Sequence, residues 1–136
     1  AVATAGRSAT LFAVETLEHL RRGGRIGHAA ALFGTALAVK PVLHMAEGEI
    51  RPLEKVRTMQ RAVGRLVDLA GAAAGDGEVE LAVHHLGTPE RAARLASRLD
   101  ECLPSPGGCV VSELGAVIGA HTGPGVLGVV VQRSAG

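Results

Sequence analysis

Seven consecutive residues, Gly119-Ala120-His121-Thr122-Gly123-Pro124-Gly125, concentrate the side chains and backbone freedom most able to do chemistry. The glycines permit positive φ and close backbone approach, and Pro124 fixes one turn. His121 and Thr122 remain as groups that can donate, accept or titrate. A rigid backbone presenting an imidazole beside a hydroxyl suits an anionic head group; a tight turn with an incidental histidine is the alternative. A second cluster, Gly23-Gly24-Arg25-Ile26-Gly27, offers either an anion cradle with Arg25 as a charge-assisted donor or a helix C-cap with a solvated arginine. It lacks the Gly-Lys-Ser/Thr ending of a phosphate-binding P-loop.

Other chemistries find less support. Ser112 and Glu113 precede the loop, but the Gly-x-Ser-x-Gly turn that exposes a hydrolase nucleophile is missing. His84 and His85 are adjacent on an expected strand, so they point to opposite faces, and no acidic or cysteine partner has ligand spacing; no metal is expected. His19, His28 and His44 are isolated and read as surface or packing residues. Cys102 and Cys109 have neither Cys-x-x-Cys spacing nor zinc partners, which points to reduced thiols and a cytoplasmic setting. Lys40, Lys55 and Arg57 fall on an expected hairpin, where charges commonly line a solvated sheet edge.

The chain that must position these groups has 136 residues, the size of one domain with a real core. With 47% hydrophobic and 20% charged residues it is neither disordered nor, lacking an apolar run of about 20 residues, membrane-spanning. A net charge of +1 and aromatics limited to Phe12 and Phe33 argue against nucleic acid, which wants basic patches and stacking platforms. The core must be built from Ala, Val and Leu, residues that also make a smooth aliphatic cavity for an alkyl chain. Residues 1–10 lack the apolar stretch of a signal peptide, and the first residue is Ala1, as in a processed chain or a fragment.

In order, an alanine-rich helix is expected over Val2 to Ser8, a buried strand over Thr10 to Val14, and a helix over Leu17 to Arg22 with Thr16 as N-cap. A compact helix follows over His28 to Ala38, with Gly34 inside it. Val39 to Met45 and Glu49 to Val56 read as a hairpin. From Thr58 the apolar period becomes helical through Met59, Ala62, Val63, Leu66, Val67 and Ala70. Glu78 to His84 is a strand, and Thr88 with Pro89 opens a helix buried through Ala92, Leu95, Ala96 and Leu99. Cys109 to Leu114 and Val126 to Val131 are strands. This order predicts one α/β or α+β domain with a mixed sheet of about six strands packed with helices.

Four stretches taken together resemble the C-terminal domain of the DegV family of bacterial fatty-acid-binding proteins. They are Phe12 to Gly27 (FAVETLEHLRRGGRIG), Leu32 to Leu43 (LFGTALAVKPVL), Gly48 to Arg57 (GEIRPLEKVR) and Ile118 to Gly125 (IGAHTGPG). The resemblance implies a two-domain carrier that buries one long-chain fatty acid in an apolar tunnel. The carboxylate would be held by hydroxyls of an N-terminal domain and by the histidine that His121 matches, with Thr122 and Gly123 in the same motif. Some members present the fatty acid to a separate fatty acid kinase, and the carrier itself does not catalyse. By motif position Arg57, and more weakly Arg25, would lie near the head group or the kinase contact face. The N-terminal domain is not in this sequence. No cofactor is implied beyond the bound fatty acid. The competing readings are a small-molecule enzyme using His121 with Arg25 and Arg57 as anion clamps, and a structural domain that self-associates through the face left bare.

Overall fold

Two periodicities in the sequence become two kinds of layer: residues alternating with period two form a sheet, and the helical stretches with apolar stripes cover one side of it. The computed structural model describes residues 8–22, 24, 40–46, 49–115, 119–120 and 122–133. Along the chain these form β1 (Ser8–Ala13), α1 (Glu18–Arg22), β2 (Lys40–Ala46), β3 (Glu49–Val56), α2 (Met59–Ala74), β4 (Val79–His85), α3 (Pro89–Cys102), β5 (Cys109–Glu113) and β6 (Leu127–Arg133).

The six strands make one mixed sheet in the order β3-β2-β1-β6-β4-β5. Every neighbouring pair is antiparallel except β4 and β5, which run parallel and are joined by the crossover helix α3. The expected hairpin is β2–β3, with a bulge between Val42 and Leu43. Of the helix expected over Val2 to Ser8, only Ser8 is described, and it is in β1, paired with Gln132 of β6. Pairing to a partner strand there overrides local alanine-rich propensity. The helix expected over His28 to Ala38 lies outside the described residues.

One face of the sheet carries Leu11, Ala13, Val42, Leu81, Val83 and Val129, packed against Met59, Ala62, Leu66 and Ala70 of α2 and Ala92, Leu95 and Leu99 of α3. These helix positions recur at spacings of three and four, which aligns them on one side of each helix. The other face carries a smaller cluster: Phe12 and Leu43 from the sheet, with Val14, Leu17, Leu20 and Val126 from the segments at its end. Arg65 of α2 is tied to the sheet edge by Glu54 of β3 at 2.7 Å.

The two long helices begin differently. Thr58 is extended at ψ 154°, and its hydroxyl accepts the Arg61 N–H at 3.1 Å, which makes it the N-cap of α2. Thr88 occupies the corresponding position before α3 but makes no side-chain cap hydrogen bond, contrary to expectation. Its backbone N–H is taken instead by Nδ1 of buried His85 at 3.2 Å. With ψ at 57° the residue turns its hydroxyl away from the first-turn N–H groups. The Thr88 Oγ1 is buried with no hydrogen-bond partner among the described residues.

Thr58→Val is therefore expected to lower stability by about 1 kcal/mol through loss of the cap. Thr88→Val, which removes a buried unsatisfied hydroxyl at nearly constant volume, should be neutral or stabilising. Urea denaturation midpoints of the two variants check the contrast, which disappears if both threonines cap.

Candidate functional site

The strand registers bring the C-terminal ends of β1, β3, β4 and β5 and the N-terminal ends of β2 and β6 to one end of the sheet. The loop between β5 and β6, which holds the glycine-rich heptapeptide, lies at this end. So do Glu15, Lys40 and Arg57, and both α2 and α3 begin here.

Backbone geometry explains the glycines. Gly119 donates its N–H to the Gly115 carbonyl at 2.9 Å, and Gly123 donates to the Gly119 carbonyl at 2.7 Å, closing one helical turn that includes Thr122. The Gly123 N–H is thus already engaged, and that residue contributes shape rather than a free donor. Gly123 and Gly125 have φ of 86° and 89°, where residues with a Cβ are strained. A Cβ on Gly123 would collide with the His19 imidazole of α1, and one on Gly125 would come within 2.6 Å of Glu15 Cγ. At Gly119 a Cβ would meet only the movable end of the Leu86 side chain, at 2.9 Å. Gly125 also donates to the Leu86 carbonyl at 2.9 Å, which holds the loop to the end of β4.

Beneath Gly125 lies an ion-pair cluster. Glu15 receives Lys40 Nζ at 3.1 Å on one carboxylate oxygen and Arg91 Nη1 at 3.1 Å on the other, while Lys40 also donates to the Glu15 carbonyl at 3.3 Å. One carboxylate thereby links the segment after β1, the start of β2 and the first turn of α3. Burial would by itself raise the Glu15 carboxyl, but Lys40 and Arg91 outweigh it and hold it below its ordinary value of 4.5. Lys40 is thus a bridging residue, not a solvated edge charge; the edge strand is β3, where Lys55 is exposed.

Next to the loop, on the sheet face away from α2 and α3, is an apolar trough of about 300 Å³. The register lays Leu43, Phe12, Gly128 and His84 side by side across four strands on this face. Gly128 leaves a gap between the Phe12 and His84 side chains, and a Cβ there would make only ordinary contacts of 3.8 to 3.9 Å. Leu20, Ile50, Leu114 and Val126 wall the trough, and its polar lining is Thr122, His84 and Thr10. A larger depression of about 590 Å³ occupies the opposite end of the same face, between Glu78, Glu80, Gln132 and the loop at Pro106–Gly108. Its carboxylates would repel an anion, and it lies away from the glycine loop. The smaller trough is therefore the better candidate.

Of the residues singled out in the sequence, Thr122 lines the trough and Gly123 shapes the loop beside it. His121 and Arg25 lie outside the described residues. Arg57 is exposed just after edge strand β3 and does not line the trough. The sequence reading passed over Glu15, Arg91, Gly128 and the His19 contact, all of which depend on strand register. The alternation Thr10, Phe12 on β1 and Gly128, Val130 on β6 was the available signal for the second face. Burial, reinforced by the charge of Asp100, pushes the Cys109 thiol up to about 11, which keeps it protonated and unreactive. Among the described residues no three His, Cys, Asp or Glu side chains gather as a metal site, and no helix is long and apolar enough to cross a membrane.

A mixed six-stranded sheet, covered by helices on one face and bearing an apolar trough under a glycine-rich loop on the other, defines an α/β ligand-site scaffold. Comparison with known proteins gives it a family. A family model described as uncharacterised proteins of the DegV family matches residues 2–134, and the chain belongs to that family. A DegV domain-containing protein of Streptomyces coelicolor is 60% identical over 128 residues, covering 94% of this chain and 45% of the relative. A fatty acid binding DegV family protein from Streptococcus agalactiae superposes with a TM-score of 0.88 at 30% identity, over 98% of this chain and 47% of that one. A DegV family protein from Thermus thermophilus, described by its fatty acid binding, gives 0.87 at 36% identity, over 93% and 46%. The chain spans about half the length of the relatives it matches.

Two predictions follow from the loop and the cluster beneath it. Gly125→Ala should destabilise by at least about 1 kcal/mol from left-handed backbone strain alone, with the Glu15 collision adding to it, whereas Gly119→Ala should cost less; thermal unfolding of both variants tests the ranking. Because the Glu15 carboxyl is held low, its stabilisation is present above the ordinary carboxylate range and lost as pH falls through its depressed value. Glu15→Gln should therefore cost about 1 kcal/mol near neutral pH. The deficit should shrink toward zero in acid, as read by urea melts across that range.

Proposed function

We propose that this chain is the acyl-chain-holding part of a fatty acid carrier, binding rather than transforming its ligand. The observation that carries the reading is the apolar trough with Thr122 at its loop end and Gly128 as its floor. An alkyl chain laid along Phe12, Ile50 and Val130 gains burial at about 25 cal/mol per Å² of apolar surface, and the carboxylate points toward the glycine loop. His121 and Thr122 are the groups proposed to meet that carboxylate. The fatty acid binding of relatives from Streptococcus agalactiae and Thermus thermophilus supports the assignment.

The trough sits at the lower end of the volumes that hold small ligands, roughly 300 to 1,000 Å³. It lies on one face of a sheet, so a complete site needs further walls. We assign these in part to a second domain of the same protein, N-terminal to this chain, which fits a chain about half the length of its relatives. On this reading the chain alone binds fatty acid weakly. Handing the carboxylate to a fatty acid kinase is the proposed use of the complex. Exposed Arg57, with Arg94 and Arg98 along a groove between α2 and α3, supplies positive charge for such a contact. The alternative of an enzyme with paired arginine clamps is disfavoured because Arg57 does not line the trough. Self-association would rest on exposed Val110 and Val111 of edge strand β5 and exposed Leu53 of edge strand β3.

Gly128→Leu tests the carrier assignment, because the backbone there accepts a side chain without strain while the trough does not. Displacement of a fluorescent fatty acid from the intact protein should weaken roughly tenfold or more, equivalent to at least 1.4 kcal/mol, with the unfolding midpoint nearly unchanged. His121→Ala should weaken binding as well. Undiminished binding by the filled variant would place the acyl chain elsewhere.

A further inference from the structure

Resting on the carrier reading, we infer that the trough selects acyl chains bearing a hydroxyl group, with His84 as the hydrogen-bond partner of that hydroxyl. His84 lies in the cross-strand row that forms the trough floor, beside Gly128, whose missing side chain leaves the imidazole bordering the cavity. It is half-buried, and among the described residues it makes no hydrogen bond or ion pair. Its neighbour His85, on the opposite face, is buried and engaged by the Thr88 N–H, so the two histidines have divided into a structural one and an available one.

An alkyl chain that covers the His84 ring removes water from its nitrogens and offers nothing in exchange, which is unfavourable for a polar group. A hydroxyl on that chain restores the bond. The imidazole either donates to the hydroxyl oxygen or accepts a hydrogen bond from the hydroxyl O–H, since a neutral ring has one nitrogen of each kind. Discrimination of this sort is large because it acts against the ligand that leaves a polar group unpaired. His84 also sits inside the sheet, one residue before the strand end, while Thr122 belongs to the loop beyond that end. The two therefore present polar contacts at different depths: one beside the carboxylate and one along the chain. Thr10, a row further in, extends the polar lining.

Titration calorimetry on the intact protein, with palmitate and its β-hydroxy analogue and with stearate and its mid-chain hydroxylated analogue, tests the idea. The wild type should bind one of the hydroxylated acids about tenfold more tightly than its plain counterpart. His84→Leu should abolish that preference while binding plain palmitate at least as well, and His84→Gln, which keeps a donor, should retain part of it. Equal affinities in the wild type, or a preference that survives His84→Leu, would overturn the inference. If His84→Leu weakens plain and hydroxylated acids alike, the imidazole serves the carboxylate and the inference fails while the carrier reading stands. Failure of every acid to bind would remove both.

Discussion

The constraint on which the molecule depends is the pairing of β1 with β6 in a register that gives β1 two cores. Leu11 and Ala13 point into the interior beneath α2 and α3, while Phe12 points into the second cluster with Leu43 and Val126. Side chains alternate along a strand, so a slip of one residue would exchange these sets and put Phe12 under the helices. The same register sets Gly128 opposite Phe12 and, across β6, opposite His84. The floor of the trough is thus a by-product of the pairing that builds the main core.

Above that floor, the glycine loop and the Glu15 cluster hold each other in place. Gly125 is small and left-handed because Glu15 lies directly under it, and Glu15 stays there because Lys40 and Arg91 grip both of its oxygens. Each ion pair is partly exposed and individually modest. Their value is geometric: a single carboxylate joins two strands and a helix at the end of the sheet where the loop must sit.

Much of this architecture was legible in the residues. The hairpin, the helical period after Thr58 and the strands around Val79 and Val126 follow from spacing and turn residues, and the six strands of a mixed sheet follow from their order. What spacing does not encode is which strand pairs with which. For that reason Lys40 looked like an edge charge, His84 looked only like half of an improbable metal pair, and Glu15 had no evident partner. Thr58 and Thr88 show the limit at single-residue scale. Both stand just before a helix, yet only one caps it: Thr58 is extended, while Thr88 is held at ψ 57°, its own N–H donated to buried His85, with its hydroxyl off the first-turn N–H groups. The loop at Gly119 to Gly125 was identifiable from its glycines alone; the atoms those glycines must avoid, His19 and Glu15, were not.

The position of β6 bears on how the molecule comes into being. It is the last of the described strands in sequence but lies between β1 and β4, so without it β1–β2–β3 and β4–β5 are two separate sheets with no shared floor. Phe12 and Gly128, which face each other in the finished sheet, are separated by most of the chain, and contacts of such range form slowly because a large loop must close first. During synthesis both half-sheets must wait with unpaired inner edges until β6 arrives. A molecule that binds only the completed sheet favours that last insertion by mass action. The supply of any such molecule and the yield of folded protein would then rise together.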